Sequence, residues 1–369
     1  MKTILTYLKH EVVLTVALVA ALASFLLVPP GAHTLEGIDT TTLLMLFSLM
    51  TIVAGFRHMG AFDKLATAVT LRIRTQRSLA AAMIAACFLL SMVATNDVAL
   101  ITLVPFTMLL MHGAAIRAVT ITVVLETIAA NLGSMVTPIG NPQNLYLYAS
   151  GQLDAMDFPS LTWPYALVAL ILLMTLCVLI PKQPVAAARS AEDKLPARKL
   201  ELYSLLSVAA LLSLAKVLPA WALAAAVLVL TLVLDRPVLR QVDYTLLMTF
   251  VCFFVFVASV KAYAPVSAWL EGLMADNPLL TGLLVSQVIS NVPACLLLSP
   301  FTQNAASLML GVNIGGLGTL VASLASLISF RLYGAAPQRS NGMFMGLFTV
   351  LNVLFLAVML GLAWLTGAM

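Results

Sequence analysis

Apolar residues form long, nearly unbroken runs along this sequence, from Val12 to Leu365, with polar residues gathered between the runs. A helix that crosses a bilayer needs ~20 predominantly apolar residues. The runs therefore predict about nine full membrane-spanning helices. The predicted spans are residues 12–28, 40–56, 117–149, 162–180, 200–217, 220–234, 244–262, 305–333 and 342–366.

Two further apolar stretches, 79–112 and 279–304, are too long for one span and carry a polar interruption in their middle. The first is interrupted by Asn96-Asp97 and the second by Asn291-Val292-Pro293. We expect each stretch to fold as a re-entrant hairpin of two short helices.

The charges in the loops support this arrangement. Lys and Arg are enriched in the loop after the second span and in 181–199, whereas 30–39 and 150–161 hold acidic residues but no Lys or Arg. Because cytoplasmic loops carry the excess of positive charge, the chain crosses an even number of times between the two basic loops. A hairpin at 79–112 leaves two crossings, whereas a full crossing would give three. The same argument makes 279–304 a hairpin from the opposite side, and places the N-terminus in the cytoplasm and the C-terminus outside.

The composition agrees with a membrane protein. Hydrophobic residues make up 62% of the 369 residues and charged residues only 9%, against roughly 25% charged residues in soluble domains. Lipid is therefore the expected partner of most of the surface. The net charge of +4 is too small to indicate a nucleic-acid partner. The four cysteines lie in separate apolar stretches without disulfide or metal-site spacing, and no cofactor is predicted beyond a coupling ion.

The sequence contains an internal repeat. Asp39 and Asp243 begin similar segments, Ser91–Ala99 matches Ser286–Ala294, and Asn131–Thr137 matches Asn313–Thr319, in the same order. An odd number of predicted crossings separates the copies, so the second is inverted. The predicted fold is an all-α polytopic membrane protein of two inverted repeats, a pattern typical of secondary transporters. The predicted divisions are an N-terminal span (1–38), repeat 1 (39–181), a cytoplasmic linker with scaffold spans (182–242) and repeat 2 (243–369).

Four motifs combine helix breakers with Asn, Ser and Thr. Backbone groups that Pro and Gly release at membrane depth are tolerated where they line a cavity or are buried in protein. Carbonyls at helix C-termini suit cations, and amides at helix N-termini suit anions. The motifs predict a substrate and ion site at the repeat interface. The candidate residues are Thr95, Asn96, Asp97, Thr137, Gly140, Asn141, Asn144, Ser290, Asn291, Asn313, Gly315 and Thr319.

Two acidic residues are candidates for coupling. Asp97 lies at membrane depth, where an ionisable group indicates function, and it could bind a proton or a cation. It could instead cap the second hairpin helix, and both roles could hold. Glu126, about 13 Å along its helix from Arg117, is either a coupling residue or the partner of a basic group.

The motifs resemble the ion transporter superfamily, in its citrate transporter-like and arsenite permease branch, and most closely its short bacterial anion permeases. The resemblance extends from about Asp39 to the C-terminus and implies a homodimer with a fixed scaffold and an elevator-type transport domain. In the sodium-coupled dicarboxylate branch, a Ser-Asn-Thr motif in each hairpin binds Na⁺ and substrate. The matching triplets here, Thr95-Asn96-Asp97 and Ser290-Asn291-Val292, imply Na⁺ sites at Asn96 and Asn291.

The leading hypothesis is an inner-membrane carrier for a small anion or neutral oxyacid, coupled to Na⁺ or H⁺. A sodium/proton antiporter with Asp97 as the titrating group is the alternative, and a channel is a third possibility. An enzyme is not expected, because the HExxH and GxSxG motifs do not occur in the sequence.

Overall fold

The computed structural model describes residues 11–70, 73–184, 195–337 and 339–368. These residues form 18 α-helices, joined by turns and short 3₁₀ segments, and contain no β-strand. The helices before residue 184 are α1 (Val12–Ser24), α2 (Ala32–Glu36), α3 (Thr40–His58), α4 (Ala61–Thr70), α5 (Gln76–Ala94), α6 (Asn96–Leu110), α7 (Ile116–Ser134), α8 (Pro142–Ala149) and α9 (Asp157–Leu176).

The second part of the chain repeats the order of these elements. Its helices are α10 (Ala197–Leu214), α11 (Ala220–Leu234), α12 (Tyr244–Ala262), α13 (Ala264–Asp276), α14 (Pro278–Ile289), α15 (Asn291–Leu298), α16 (Ala305–Ile314), α17 (Leu324–Gly334) and α18 (Asn341–Leu365). Asp39 and Asp243, the first repeat match, cap α3 and α12 in the same way. Each carboxylate accepts a hydrogen bond from the backbone N–H three residues later.

Helix lengths differ from the predicted set of nine full spans. Six segments of the described chain are long and apolar enough to cross a membrane. The predicted spans 117–149 and 305–333 are each broken, α1 and α11 have only 13 and 15 residues, and α10, in the predicted span 200–217, is not among the six. Two of the six were not predicted as spans by themselves, because Ile116–Ser134 is the first part of 117–149 and Gln76–Ala94 is the first helix of the predicted hairpin 79–112. The six segments are Thr34–His58, Gln76–Ala94, Ile116–Ser134, Asp157–Leu179, Tyr244–Ala262 and Asn341–Leu365.

Both predicted hairpins are pairs of helices joined at a single residue. Thr95 joins α5 to α6 with φ 69° and ψ 152°, and Ser290 joins α14 to α15 with φ 74° and ψ 153°. A positive φ is rare for residues with a side chain, and rarer still for a β-branched one. The same unusual backbone at matched positions is strong structural support for the repeat.

Side-chain contacts fix the relative directions of α5, α6 and α7. Cys87 of α5 and Thr107 of α6 both contact Glu126 of α7. Asn96, at the start of α6, contacts Asn131, which lies closer to the C-terminal end of α7. Helix α6 therefore runs opposite to α5 and α7, as a hairpin requires. Re-entry of this hairpin from one side of the bilayer stays a prediction.

The start of α5 and the end of α9 lie at the same face of the protein. Arg77 donates to the carbonyls of Val178 and Ile180 at 2.7 and 2.8 Å, and Gln76 N–H donates to Gln183 O at 2.8 Å. This is the face that the basic loops assign to the cytoplasm. Arg72, Arg189 and Lys194, on which that assignment partly rests, lie outside the described residues.

The two repeats interlock in the core. One large apolar cluster combines α5, α6, α7 and α9 of repeat 1 with α17 and α18 of repeat 2. A second combines α8 of repeat 1 with α12, α15 and α16 of repeat 2. A third, smaller cluster packs α10 and α11 against α3. The second half of each interrupted helix thus packs with the opposite repeat.

Candidate functional site

Each repeat contains a helix that is interrupted in the buried centre of the protein. Helix α7 ends at Ser134 and α8 begins at Pro142, while α16 ends at Ile314 and α17 begins at Leu324. In the first break the chain folds back tightly, because a Cβ on Gly140 would lie 2.0 Å from Ser134 O. Only glycine fits there. The carbonyl of Gly140 accepts a hydrogen bond from Asn96 N–H at 3.0 Å, which joins the break to the tip of the first hairpin.

Asn313, at the end of α16, reaches into the break of the opposite repeat. Its Oδ1 accepts a hydrogen bond from Asn141 Nδ2 at 2.8 Å, and its Nδ2 donates to Asn144 Oδ1 at 2.8 Å. Asn141 also caps α8 by accepting from Asn144 N–H at 2.9 Å. Three predicted site residues, from both repeats, are therefore brought together.

Asn131, the repeat counterpart of Asn313, makes the equivalent contact in the other direction. Its Oδ1 accepts from Ser323 Oγ at 2.9 Å, and its Nδ2 approaches Ser326 Oγ and Gly316 O at 3.4 and 3.5 Å. Ser323 and Ser326 occupy the repeat positions of Asn141 and Asn144. The two asparagines thus exchange contacts across a pseudo-twofold axis.

Ser134 joins these two halves into one network. Its hydroxyl donates to Asn131 O at 3.0 Å and accepts from Asn141 Nδ2 at 3.1 Å. Asn96 Nδ2 extends the network to the first hairpin by donating to Asn131 Oδ1 at 3.4 Å. We call the set Asn96, Asn131, Ser134, Asn141, Asn144 and Asn313 the asparagine network. All six residues are buried and uncharged.

The hairpins are attached to the breaks by matched contacts. Thr137 Oγ1 donates to Met92 O, and Thr319 Oγ1 donates to the carbonyl of Gln287, the repeat counterpart of Met92. Gly315 packs against α14 near Ser286, as Gly133 packs against α5 near Ser91. Thr137, Thr319 and Gly315 therefore hold the hairpins in place. Thr137 also contacts the asparagine network, because its carbonyl accepts a hydrogen bond from Asn144 Nδ2 at 3.0 Å.

The hairpin tips present the remaining candidates. Ser290 Oγ donates to Ala322 O at 3.5 Å, and the Asn291 amide lies against the backbone of Gly316. Asp97, the second residue of α6, is half-buried, and its Oδ1 is buried without a hydrogen-bond partner. Thr95 occupies the cap position of α6 without a side-chain cap hydrogen bond, while Asn96 Oδ1 accepts from the N–H of Asp97 at 3.0 Å. One carboxylate oxygen of Asp97 is therefore left without a hydrogen-bond partner among the described residues.

Glu126 lies on α7, apart from the asparagine network, and is fully buried. Its Oε1 accepts a hydrogen bond from Thr107 Oγ1, and its Oε2 has no partner. The ion pairs of the described chain, Lys199–Asp235 and Lys216–Asp154, do not include it. The basic partner considered from the sequence is therefore not found among the described residues, and a threonine hydroxyl takes its place.

Several residues of this centre were not among the sequence candidates. Asn131 was visible only as half of a repeat match, and Ser134, Ser323 and Ser326 are common helix-interface residues. Gln287 donates to Gly315 O and Leu317 O at 2.8 and 3.0 Å, and so satisfies the broken end of α16. The sequence feature that could have identified Gln287 is a polar residue in an apolar helix, one turn before the hairpin tip.

Two cavities lie beside the first hairpin. One, of about 800 Å³, lies between α6 and the segment from Arg57 to Asp63, and reaches Ile101, one turn beyond Asp97. The other, of about 320 Å³, is apolar and separates Ala94 and Ile139 from α3 and α10.

Comparisons with known proteins agree with this architecture. The sequence profile of the citrate transporter family matches residues 4–312. The inner membrane protein YbiR of Escherichia coli is 34% identical over 300 residues, 80% of each chain. An uncharacterized transporter of Methanocaldococcus jannaschii is 28% identical over 310 residues, 80% of this chain and 81% of that protein.

Two more distant similarities concern a plant protein and a solved structure. The silicon efflux transporter LSI3 of rice is 31% identical over 121 residues, which are 33% of this chain and 25% of that protein. The crystal structure of the YdaH transporter of Alcanivorax borkumensis superposes with a TM-score of 0.55 at 14% identity, covering 93% of this chain and 88% of that one. At this identity the likeness concerns the fold.

Proposed function

Because this chain belongs to the citrate transporter family, whose members are membrane transporters and not enzymes, we propose that it is a secondary active carrier for a small anion or oxyacid. The family and the apolar helices make it a multi-pass inner-membrane protein. We further propose the orientation that the basic loops favour, with the N-terminus in the cytoplasm and the C-terminus outside.

The observation that carries this proposal is the crossed contact of Asn131 and Asn313 with the breaks of the opposite repeats. Amides and hydroxyls can donate and accept hydrogen bonds, and four broken helix ends surround them. The network contains no basic side chain. A solute held there is either a neutral oxyacid or an anion that arrives with a cation.

The names of the relatives agree with both kinds of solute. The family is named for citrate, an anion, and the rice relative for silicon, which dissolves as a neutral hydroxylated acid. Asp97 adds a carboxylate beside Asn96, where it would repel an anion unless a proton or cation neutralises it. We therefore propose that Asp97 meets the coupling ion, either H⁺ or a Na⁺ that the amides of Asn96 and Asn291 help to hold.

The cavities support alternating access by an elevator motion. The 800 Å³ cavity leads from the face assigned to the cytoplasm toward Asp97, as an inward-facing state requires. The apolar cavity leaves the first hairpin loosely packed against α3 and α10, the surface along which it would slide. In this proposal α10 and α11 belong to the fixed scaffold, through which two copies form a homodimer.

Thermal stability of the purified protein tests ligand binding directly, because a ligand that binds only the folded state raises the melting temperature. Samples in NaCl, KCl and choline chloride at equal ionic strength are compared across a pH series, with and without citrate, arsenite or silicic acid. Stabilisation by one solute, enhanced by Na⁺ or by low pH, is expected. A melting temperature that no solute changes in any salt or at any pH would contradict the proposal.

A further inference from the structure

The two repeats make matching contacts at the centre of the protein, but they differ in polarity at the level of Glu126. Asn131 and Asn313, Gly133 and Gly315, and Thr137 and Thr319 make matching contacts. When both helices are counted back from the two asparagines, Glu126 of α7 corresponds to Leu308 of α16. The repeats thus place a carboxyl and an isobutyl group in equivalent positions.

The next residue, Thr127, is likewise polar in repeat 1 where its counterpart in repeat 2 is apolar. Thr127 Oγ1 donates to Ser329 Oγ at 2.6 Å between α7 and α17. The equivalent residues in repeat 2 and repeat 1 are Met309 and Leu147, both fully buried. Close packing alone is therefore achieved by apolar side chains at this level of the fold, so it does not require the polar set around Glu126.

One carboxyl oxygen of Glu126 makes no hydrogen bond that would stabilise the fold. Thr107 donates to Oε1, and Oε2 is sealed from solvent with no hydrogen-bond donor or acceptor. A buried polar atom without a partner is costly and uncommon in native proteins. The hydroxyls of Thr120 and Tyr333 contact each other and form a second hydroxyl pair, in addition to that of Thr127 and Ser329. Along α7, Thr120 lies between Glu126 and Arg117 at the start of the helix.

We infer that Glu126 is a proton-binding site, and that its carboxyl takes up a proton from the cytoplasmic side and releases it in another state of the transport cycle. This inference rests on the proposed carrier function and makes H⁺ a coupling ion. The step is simple. A hydronium ion transfers its proton to Oε2 and leaves as water, while Thr107 continues to donate to Oε1.

Few charged or titratable groups face this carboxyl. Cys87 of α5 contacts Glu126 through the backbone, with its thiol donating to the carbonyl of Glu126. Helices α16 and α18 contain none. The titratable residues of the other helices that pack against α7 are Arg77 on α5, Asp97 on α6, Asp157 and Tyr165 on α9, and Arg331 and Tyr333 on α17.

Infrared difference spectroscopy during a pH titration, on protein in lipid nanodiscs, tests this site without any substrate. The wild type is expected to show a carboxyl carbonyl band that appears as the pH falls. Because Asp97 is also proposed to meet the coupling ion, the comparison is made in Asp97→Asn, which should keep a buried-carboxyl band from Glu126. The double variant Asp97→Asn/Glu126→Gln should lose it. A band that is the same in both variants, or an Asp97→Asn protein without a titrating buried carboxyl, would overturn the inference.

A second readout separates this result from a failure of the proposed function. In proteoliposomes, uptake of radiolabelled citrate or arsenite is measured with and without a pH gradient. Glu126→Gln, and Glu126→Leu, which installs the residue of repeat 2, should lose the part of uptake that depends on the gradient. If the wild type moves neither probe, the proposed function is in question, whereas the infrared titration still decides the role of Glu126.

Discussion

Asn313 of the second repeat donates a hydrogen bond of 2.8 Å to the side chain of Asn144 in the first repeat, although 169 residues separate them in sequence. The bond lies at the point where both interrupted helices break. Asn131 makes the corresponding contacts with Ser323 and Ser326. The two repeats are therefore joined by exchanged amide side chains at the place where we propose that a solute binds.

Loss of the Asn313 side chain should weaken both the fold and the site. Asn313→Ala leaves Asn144 Oδ1 buried without the donor it has now. An unpaired buried polar group costs about 1–3 kcal/mol, so we expect the free energy of unfolding to fall by this amount. Thermal melting in detergent measures the loss, and solute binding in the same assay should disappear.

Asn352→Ala is the matched control. Asn352 is also a fully buried amide, but it donates only to Phe348 O in its own helix and its Oδ1 has no partner. Its replacement should cost less than that of Asn313 and leave solute binding intact. If the two variants lost equal amounts of stability and of solute binding, the hydrogen bonds between the repeats would contribute no more than a bond within one helix.

Close packing between the hairpins and the interrupted helices makes a second prediction. A Cβ on Gly133 would lie 2.3 Å from Phe88 O, and a Cβ on Gly315 would lie 2.9 Å from Leu283 Cα. Overpacking a tight interface costs about 1–3 kcal/mol. Gly133→Ala and Gly315→Ala should therefore lower the melting temperature, the first more than the second. Gly272→Ala is the control, because nothing lies within 4 Å of its added methyl group.

Asp97 should set the response of transport to pH or to Na⁺. Its Oδ1 is buried and free, one residue from Asn96. Asp97→Asn keeps the shape of the side chain and removes its charge, so uptake in proteoliposomes should lose its dependence on pH, on Na⁺, or on both. Asp63→Asn changes an exposed acid that lines the 800 Å³ cavity and should keep both dependences. A wild-type profile in Asp97→Asn would remove this residue from coupling.

The contact of Thr127 with Ser329 predicts which parts move together. If α7 and α17 belong to one rigid transport body, a disulfide between cysteines at these positions should leave uptake unchanged. The pair is placed in a background without the native cysteines, and the two single cysteines serve as controls. Transport that stops on oxidation and resumes on reduction would instead show that the repeats move against each other.

Much of the candidate site could be predicted from the sequence, because its signals are local. Pro138, Gly140 and Pro142 mark the first break, and the matched Asn96 and Asn291 mark the hairpin tips. Repetition strengthened each signal, since two similar breaks in the same order are unlike ordinary helix packing. The capping residues Asp39 and Asp243 follow from the same repeat.

The partners of these residues could not be predicted in this way. Asn131 meets Ser323, and Asn313 meets Asn141, only because each broken helix crosses into the opposite repeat. That exchange is a property of the packed core. The number of full-length spans could not be predicted from the sequence either, because hydropathy does not distinguish a long helix from two short ones joined by a buried turn.

Accessibility of a single cysteine at Thr95, the tip of the first hairpin, tests the carrier mechanism most directly. The native cysteines are replaced, and Thr95→Cys is labelled in oriented vesicles with a membrane-impermeant thiol reagent added to one side at a time. We predict labelling from the cytoplasmic side in one state and from the opposite side in another, with solute or coupling ion shifting the balance. Access from both sides at once would indicate a channel, and access from one side under all conditions would contradict alternating access.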